Sequence, residues 1–210
     1  MTTAADRHLR ADAARNVDRI LRAARAVYSE LGPDAHISAV AQRAGVGERT
    51  LYRHFPTKAD LARAALDQCI GEDITPAIDR ALRRRDPLVG LSELIDASIS
   101  LAAREHSLLR VARQTGALTD EVPTRLYAAL NELAEQAQQR GMLRPDLVAD
   151  DLPRIIAMLH SVLWTMDPAS GGWRRYFELI LDAISTGSEK RTLPAAPAFR
   201  DMTDSENWPV

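Results

Sequence analysis

The 210-residue chain is 46% hydrophobic and 27% charged, a balance that is ordinary for a soluble globular protein and excludes disorder of the whole. No apolar run reaches the length of a membrane span, and residues 1–16 lack the apolar centre of a signal peptide. We therefore expect a cytoplasmic protein with no membrane partner.

The formal net charge of −2 hides an uneven distribution along the chain. Residues 1–58 contain ten Arg or Lys against six Asp or Glu, whereas the remainder contains 17 against 23. A basic module on an acidic body favours a polyanionic partner for the first segment alone.

The first predicted helix is amphipathic. Apolar residues recur at helical spacing from Val17 to Leu31, and Gly32-Pro33 then stops the pattern. The polar residues before this stripe carry no period, so we expect a flexible N-terminal arm over 1–14.

Two short helices follow. Apolar spacing predicts one over 37–44, with Ser38 able to cap its start and Gly45 supplying the left-handed residue at its end. A third helix is predicted over 48–54, because Leu51 and Phe55 share a face and Pro56 disfavours continuation.

The remaining chain is also helical in period. A fourth helix begins after Thr57, a plausible N-cap, and its pattern blurs beyond Gly71. Further helices are predicted over 87–104, 105–116, 122–140, 150–166 and 172–186, and no alternating strand is present. Residues 188–210 contain three Pro and few aliphatic side chains, which predicts a disordered tail.

The predicted fold class is therefore all-α, with about nine helices in total. A three-helix N-terminal helix-turn-helix domain is joined to a larger C-terminal helical bundle. The expected divisions are an arm over 1–14, the helix-turn-helix core over 15–56, a connecting helix over 57–71, a larger C-terminal domain over 72–187, and the tail over 188–210.

The third helix has an outer face suited to DNA. With Leu51 and Phe55 committed to the core, its periodicity leaves cationic and hydrogen-bonding groups outward. These candidate DNA contacts are Glu48, Arg49, Thr50, Arg53 and His54, together with Tyr52 and, at the start of the fourth helix, Lys58. A solvated basic face without any partner is the alternative interpretation, and Tyr52 or His54 alone is more often a packing residue.

The order of these residues resembles the N-terminal domain of the TetR family of bacterial transcriptional regulators. The resemblance covers about Arg15 to Ile70 and is carried by AARAVYSELG, ISAVAQRAGV and TLYRHFPTKADL. It implies DNA-backbone contacts from Tyr52, His54 and Lys58, and base contacts from Glu48, Arg49 and Thr50 supported by Ser38, while Arg53 touches backbone or nothing. Gly47 departs from the family, whose members often carry Ser or Thr there as a helix cap.

The last two predicted helices carry broad apolar stripes. The resemblance implies that they form a homodimer, and the alternative is that the stripes face only the intrachain core. The candidate interface residues are Ile155, Leu159, Val162, Leu163, Phe177, Ile180, Leu181 and Ile184.

The resemblance implies a small-molecule effector as the other partner, and it makes residues 72–187 the effector-binding and dimerisation domain. Polar anchors in an otherwise apolar region are His106, Arg110, Arg113, Gln114, His160 and Trp164. For each of them a surface, dimer-seam or core role is the competing interpretation.

Signatures of catalysis are missing from the sequence. It has no HExxH, GxSxG or phosphate-binding glycine loop, and its five histidines show no metal-ligand spacing. The single cysteine, Cys69, cannot form an intrachain disulfide and is expected to be a buried helix residue. We expect no enzyme, no metal and no cofactor.

The sequence thus predicts a homodimeric repressor that binds a pseudo-palindromic operator and is released by a small molecule. Two other classes of function stay open. One is a helical-bundle enzyme or carrier with a non-functional helix-turn-helix, and the other is a protein-interaction module that uses the basic face.

Overall fold

The computed structural model describes residues 4–118, 121–187 and 192–197, and for 4–13 and 121–123 it describes the backbone alone. Within these ranges the chain forms α1 (Ala4–Leu31), α2 (Ile37–Ala44), α3 (Glu48–His54), α4 (Lys58–Leu82), α5 (Pro87–Arg104), α6 (His106–Gln114), α7 (Glu121–Gln139), α8 (Asp151–Val162) and α9 (Trp173–Ile184), with short 3₁₀ turns at Leu163–Thr165 and Pro168–Ser170. Strands are absent from the described residues, where only an isolated bridge joins Leu143 and Ser185. The all-α prediction is confirmed. None of the described helices is both long and apolar enough to cross a bilayer.

The chain divides into two compact units. Unit 1 comprises Met1–Ile70 and Glu105–Thr119, and unit 2 comprises Gly71–Arg104 and Asp120–Val210. The sequence predicted one domain from residue 72 onward, whereas α6 belongs to unit 1. The physical reason is that α6 packs on α1, and an amphipathic stripe alone does not say which neighbour it faces.

Two ion pairs lie at the point where the chain passes from unit 2 to unit 1. In unit 2, Arg104 at the end of α5 bonds to Asp73 of α4 at 2.8 Å. In unit 1, the next residue, Glu105, accepts from Arg25 of α1 at 2.7 Å, and this pair is largely buried. The consecutive side chains of Arg104 and Glu105 are therefore bonded to two different helices, α4 and α1.

The first helix begins at Ala4, where the sequence predicted a flexible arm over 1–14. The apolar stripe in the sequence indicated only the packed part of α1. The first buried side chain of α1, among those described, is Ile20. The residues before the stripe are rich in Ala and Arg, which favour helix without any tertiary partner.

The fourth helix continues to Leu82, well past Gly71, where its predicted pattern blurred. Its second half contains Pro76, which removes one helical hydrogen bond. Buried Ile74 and Ile78 nevertheless anchor this half in unit 2. Tertiary packing has thus overridden the local helix-breaking signal.

Only part of the predicted disordered tail, 188–210, is described. Residues 192–197 contact α9, because Arg175 donates to the carbonyl of Pro194 at 2.7 Å. Pro197 lies so close to Gly172 that a Cβ there would meet it at 2.7 Å. This short stretch is therefore packed, and the other tail residues lie outside the described ones.

Two glycines of unit 2 give a matched test of its packing. A Cβ at Gly90 of α5 would lie 2.6 Å from the carbonyl oxygen of Ala81, whereas a Cβ at Gly71 of α4 would meet nothing within 4 Å. We expect Gly90→Ala to destabilise the protein by about 1–3 kcal/mol through overpacking. Gly71→Ala should stabilise it by up to about 1 kcal/mol through helix propensity. Thermal unfolding of both variants measures this difference, and an unchanged midpoint in Gly90→Ala would contradict the close approach of α5 to α4.

Candidate nucleic-acid interface

The corner between α2 and α3 has the geometry that the sequence predicted. Gly45 ends α2 in the left-handed conformation, with φ 63° and ψ 37°. The amide of Val46 donates to the carbonyl of Ala41 at 3.0 Å, and that of Gly45 donates to Gln42 at 3.1 Å. These bonds satisfy the last carbonyls of α2 and turn the chain sharply into α3.

One side of α3 is anchored in unit 1. Leu51 is 1% exposed and Phe55 is 7% exposed. Gly47 is the N-cap of α3 and, as expected for a glycine, offers no side-chain acceptor. Its carbonyl accepts a hydrogen bond from the Thr50 amide at 2.9 Å. A helix of seven residues is held in place by this burial.

The opposite side of α3 forms a polar surface, which we call the reading face. It consists of Glu48, Arg49, Thr50, Tyr52, Arg53 and His54. Glu48, Arg49, Tyr52 and Arg53 are exposed, and Thr50 and His54 are half-buried. Within the described part of the chain, no ion pair engages Arg49 or Arg53. The reading face therefore presents uncommitted guanidinium groups to solvent.

The start of α2 is capped by His36 and not by Ser38, which corrects the sequence prediction. His36 Nδ1 accepts from the Ser38 amide at 3.2 Å and lies 2.7 Å from the Ser38 hydroxyl oxygen. The side chain of half-buried Ser38 is therefore held by its own helix cap. An imidazole is an uncommon capping group, which is why the usual capping residues drew attention to Ser38.

Another cation of unit 1 is already neutralised. Arg43 of α2 makes a bidentate pair with Glu30 of α1, and both hydrogen bonds measure 2.7 Å. The hydrogen bonds from Arg43 lower the pKa of Glu30 from its usual value. Arg43 thus ties α2 to α1 and adds little positive charge to the surface.

Lys58, expected to contact phosphate, is engaged within unit 1. Its Nζ donates to the carbonyl oxygens of Pro33 at 2.8 Å and Ala35 at 3.3 Å. The same ammonium lies 5.4 Å from the centroid of the Tyr28 ring. No sequence pattern indicates this arrangement, because the partners of Lys58 are main-chain oxygens and a core aromatic residue.

The first turn of α4 is closed by a reciprocal pair of hydrogen bonds. The Thr57 amide donates to the Asp60 carboxylate at 3.1 Å, and the Asp60 amide donates to the Thr57 hydroxyl at 3.0 Å. This is a capping box, with Thr57 as the cap that the sequence predicted. The helix start next to the reading face is consequently well defined.

The six effector candidates are divided between the two units. His106, Arg110, Arg113 and Gln114 lie on α6 in unit 1, whereas His160 and Trp164 lie in unit 2. Arg113 and Gln114 are exposed, and the other four are half-buried. Neither unit brings all six together.

Among these candidates, His160 has a perturbed environment. Burial lowers its pKa to about 4, and a hydrogen bond to the main chain at Ser98 opposes that shift only partly. Its Nε2 is buried without a hydrogen-bond partner among the described residues. His160 is therefore neutral at physiological pH.

The dimer candidates are mostly covered by their own chain. Six are buried, namely Ile155, Leu159, Leu163, Phe177, Leu181 and Ile184, while Val162 and Ile180 are half-buried. Other apolar side chains of the same two helices face outward: Met158 of α8 is 54% exposed and Leu179 of α9 is 43% exposed. Each helix thus has an intrachain face and an apolar outer face.

Comparison with known proteins places these features in a family. Residues 20–65 match the model of the N-terminal domain described as "Bacterial regulatory proteins, tetR family". The chain carries a TetR-family DNA-binding domain. The matched TetR-family segment covers α2, α3 and the whole of the reading face.

Solved TetR-family regulators resemble the chain over most of its length. The regulator SCO0520 from Streptomyces coelicolor is 28% identical, with a TM-score of 0.56 over 81% of this chain and 99% of that one. A regulator from Mycobacterium vanbaalenii is 27% identical, with a TM-score of 0.60 over 85% and 99%. LfrR from Mycobacterium smegmatis, solved in complex with proflavine, is 22% identical, with a TM-score of 0.54 over 82% and 93%. The chain therefore has the fold of a TetR-family transcriptional regulator. No curated protein matches the chain.

The lowered pKa of His160 predicts a pH-dependent stability. The folded pKa of about 4 lies below the ordinary value of 6.5, so the unfolded chain takes up a proton first as the pH falls. The stability associated with neutral His160 is complete above pH 6.5 and is lost towards pH 4, by up to about 3 kcal/mol. We expect His160→Gln to remove this part of the loss in thermal unfolding measured across that range. Equal acid sensitivity of the two proteins would contradict the burial of His160.

Proposed function

We propose that the chain is a homodimeric repressor that binds a pseudo-palindromic DNA operator and dissociates when a small molecule binds unit 2. Bacterial DNA is the partner, which places the protein in the cytoplasm. The observation that carries this proposal is the reading face, whose cationic and hydrogen-bonding groups are exposed while Leu51 and Phe55 anchor the opposite side of α3.

Each residue of the reading face has chemistry that suits a duplex. Arg49 lies in the first turn of α3, where a recognition helix meets base edges, and its guanidinium can bond two acceptors of guanine. Thr50 offers a hydroxyl and a methyl group, and Glu48 can accept from cytosine. Tyr52 and His54 lie farther along the helix and would donate to phosphates, which fix the register without reading sequence.

A dimer is required because one helix of this size reads only a half-site. Two recognition helices must lie about one turn of DNA apart, or a multiple of it, to contact both halves of a palindrome. The exposed Met158 and Leu179, with half-buried Val162 and Ile180, support an interface on the outer faces of α8 and α9. The buried members of the predicted stripe would support this interface from beneath.

Release by an effector requires that the ligand prefer one arrangement of the dimer. A molecule with equal affinity for the DNA-competent and DNA-incompetent arrangements would shift nothing. The unpartnered Nε2 of His160 supports a site in unit 2, and the proflavine complex of LfrR supports an organic molecule as its occupant. We propose that α4 transmits the effect of ligand binding to the reading face, because α4 begins beside that face and continues into unit 2.

The two alternative functions, an enzyme or carrier and a protein-interaction module, predict different roles for the reading face. A helical-bundle enzyme or carrier would leave it without a role, and a protein-interaction module would direct its cations to an acidic protein surface. Neither rival explains why exposed Arg49 and Tyr52 lie in the segment that matches the TetR-family model. The match to the family favours the regulator over both.

A DNA-binding assay on the protein's own upstream region tests the proposal. We expect a sequence-selective complex that weakens steeply with salt, as phosphate contacts require. Arg49→Ala should reduce discrimination at one base pair by about 1–3 kcal/mol. Tyr52→Phe should weaken binding to all sequences alike by about 0.5–1.5 kcal/mol, since it removes one hydrogen bond.

The matched control for lost positive charge is Arg83→Ala, because Arg83 is exposed in unit 2 and is assigned no DNA contact. It should leave both affinity and preference unchanged. Unselective binding by the wild-type protein, or an Arg49→Ala variant with unaltered preference, would contradict the assignment of α3 as the reader.

Sedimentation velocity tests the proposed interface. Placing Glu at both Met158 and Leu179 would bury carboxylates in an apolar contact, so the double variant should be monomeric where the wild type is a dimer. Val148→Glu is the control, because Val148 is similarly exposed but lies before α8. A monomeric wild type, or a double variant that stays dimeric, would exclude this interface.

A further inference from the structure

Lys58 opens α4, yet its ammonium is held by the loop that joins α1 to α2. It donates to Pro33 and Ala35, with the Tyr28 ring beside it. An ammonium has three N–H donors, and two of them are used on these carbonyls. Two of the three N–H groups of Lys58 therefore have partners that are already part of the fold.

These contacts lead us to propose that Lys58 is a positioning residue, which fixes the start of α4 against the α1–α2 loop and so sets the orientation of α3. It does not contact a phosphate. The inference rests on the DNA-binding function proposed above.

The surroundings of Lys58 suit a compact cation. Tyr28 is completely buried, and burial raises the pKa of its hydroxyl to about 12, so the ring is neutral and offers its face to the positive charge. The carbonyls of Pro33 and Ala35 supply the negative ends of two dipoles. Half-buried Lys58 therefore has its charge compensated within unit 1, and no carboxylate of the described residues forms an ion pair with it.

A short, rigid connection carries this restraint to α3. That helix ends at His54, and buried Phe55 follows it as the C-cap. Pro56 restricts the next backbone position, and the capping box on Thr57 defines the first turn of α4. Holding Lys58 in place thus limits how far α3 can tilt on its buried side.

Nuclear magnetic resonance can observe the ammonium directly, because the sequence contains only two lysines, Lys58 and Lys190. In protein labelled with ¹⁵N-lysine, the signal missing from Lys58→Met identifies Lys58. We expect this signal to exchange slowly with water and to be shifted by the Tyr28 ring current. Tyr28→Leu should abolish the shift, whereas Tyr28→Phe keeps the ring and is the matched control. A wild-type signal that exchanges as fast as that of a free lysine side chain would overturn the proposal.

DNA binding then separates positioning from phosphate contact. Lys58→Met keeps the apolar stem, and it should lower operator affinity roughly tenfold through lost preorganisation. The slope of log affinity against log salt should stay at the wild-type value, whereas loss of a phosphate contact would reduce its magnitude by about 0.9. Tyr28→Leu should lower operator affinity by a similar factor. The double variant should bind DNA no more weakly than either single variant, because both changes act through the same contact.

Both variants are measured well below their unfolding temperature, with circular dichroism confirming that they are folded, so that a general loss of stability does not reduce the affinity. A reduced salt slope in Lys58→Met, or an unchanged affinity, would overturn the positioning role. Failure of the wild-type protein to bind DNA would instead overturn the proposed function. The resonance experiment would still test whether the Lys58 ammonium is held beside the Tyr28 ring.

Discussion

Burial of Leu51 and Phe55 is the constraint on which the nucleic-acid interface depends. A helix of seven residues has too few internal hydrogen bonds to persist alone in water. Its stability must come from its apolar side, and that side determines which residues face outward. The positions of Arg49 and Tyr52 are therefore a consequence of core packing and of the sharp turn at Gly45.

Much of this arrangement could be predicted from the sequence, because it is encoded locally. Helical spacing placed Leu51 inside and Arg49 outside, and Gly45 was expected in the left-handed conformation that it adopts. The family match at 20–65 confirms the resemblance recognised in that segment. The roles of the individual side chains toward DNA stay predictions.

Features that depend on distant partners could not be predicted. The packing of α6 on α1, the pair between Arg25 and Glu105, and the attachment of Lys58 to main-chain carbonyls all join residues far apart in sequence. An amphipathic pattern states that a face is buried and leaves its neighbour open. The same limit applies to the apolar stripes of α8 and α9, where the spacing could not distinguish the intrachain face from the outer one.

Arg104 and Glu105 are adjacent in sequence and form ion pairs with different helices, which has an evolutionary consequence. Adding or deleting one residue here would rotate the following helix by about 100° and separate at least one side chain from its partner. The connection between α5 and α6 should therefore keep its length among descendants of this gene. The segment between α7 and α8 should be constrained as well, because its main chain is hydrogen-bonded to Ile184 and Thr186 at the end of α9.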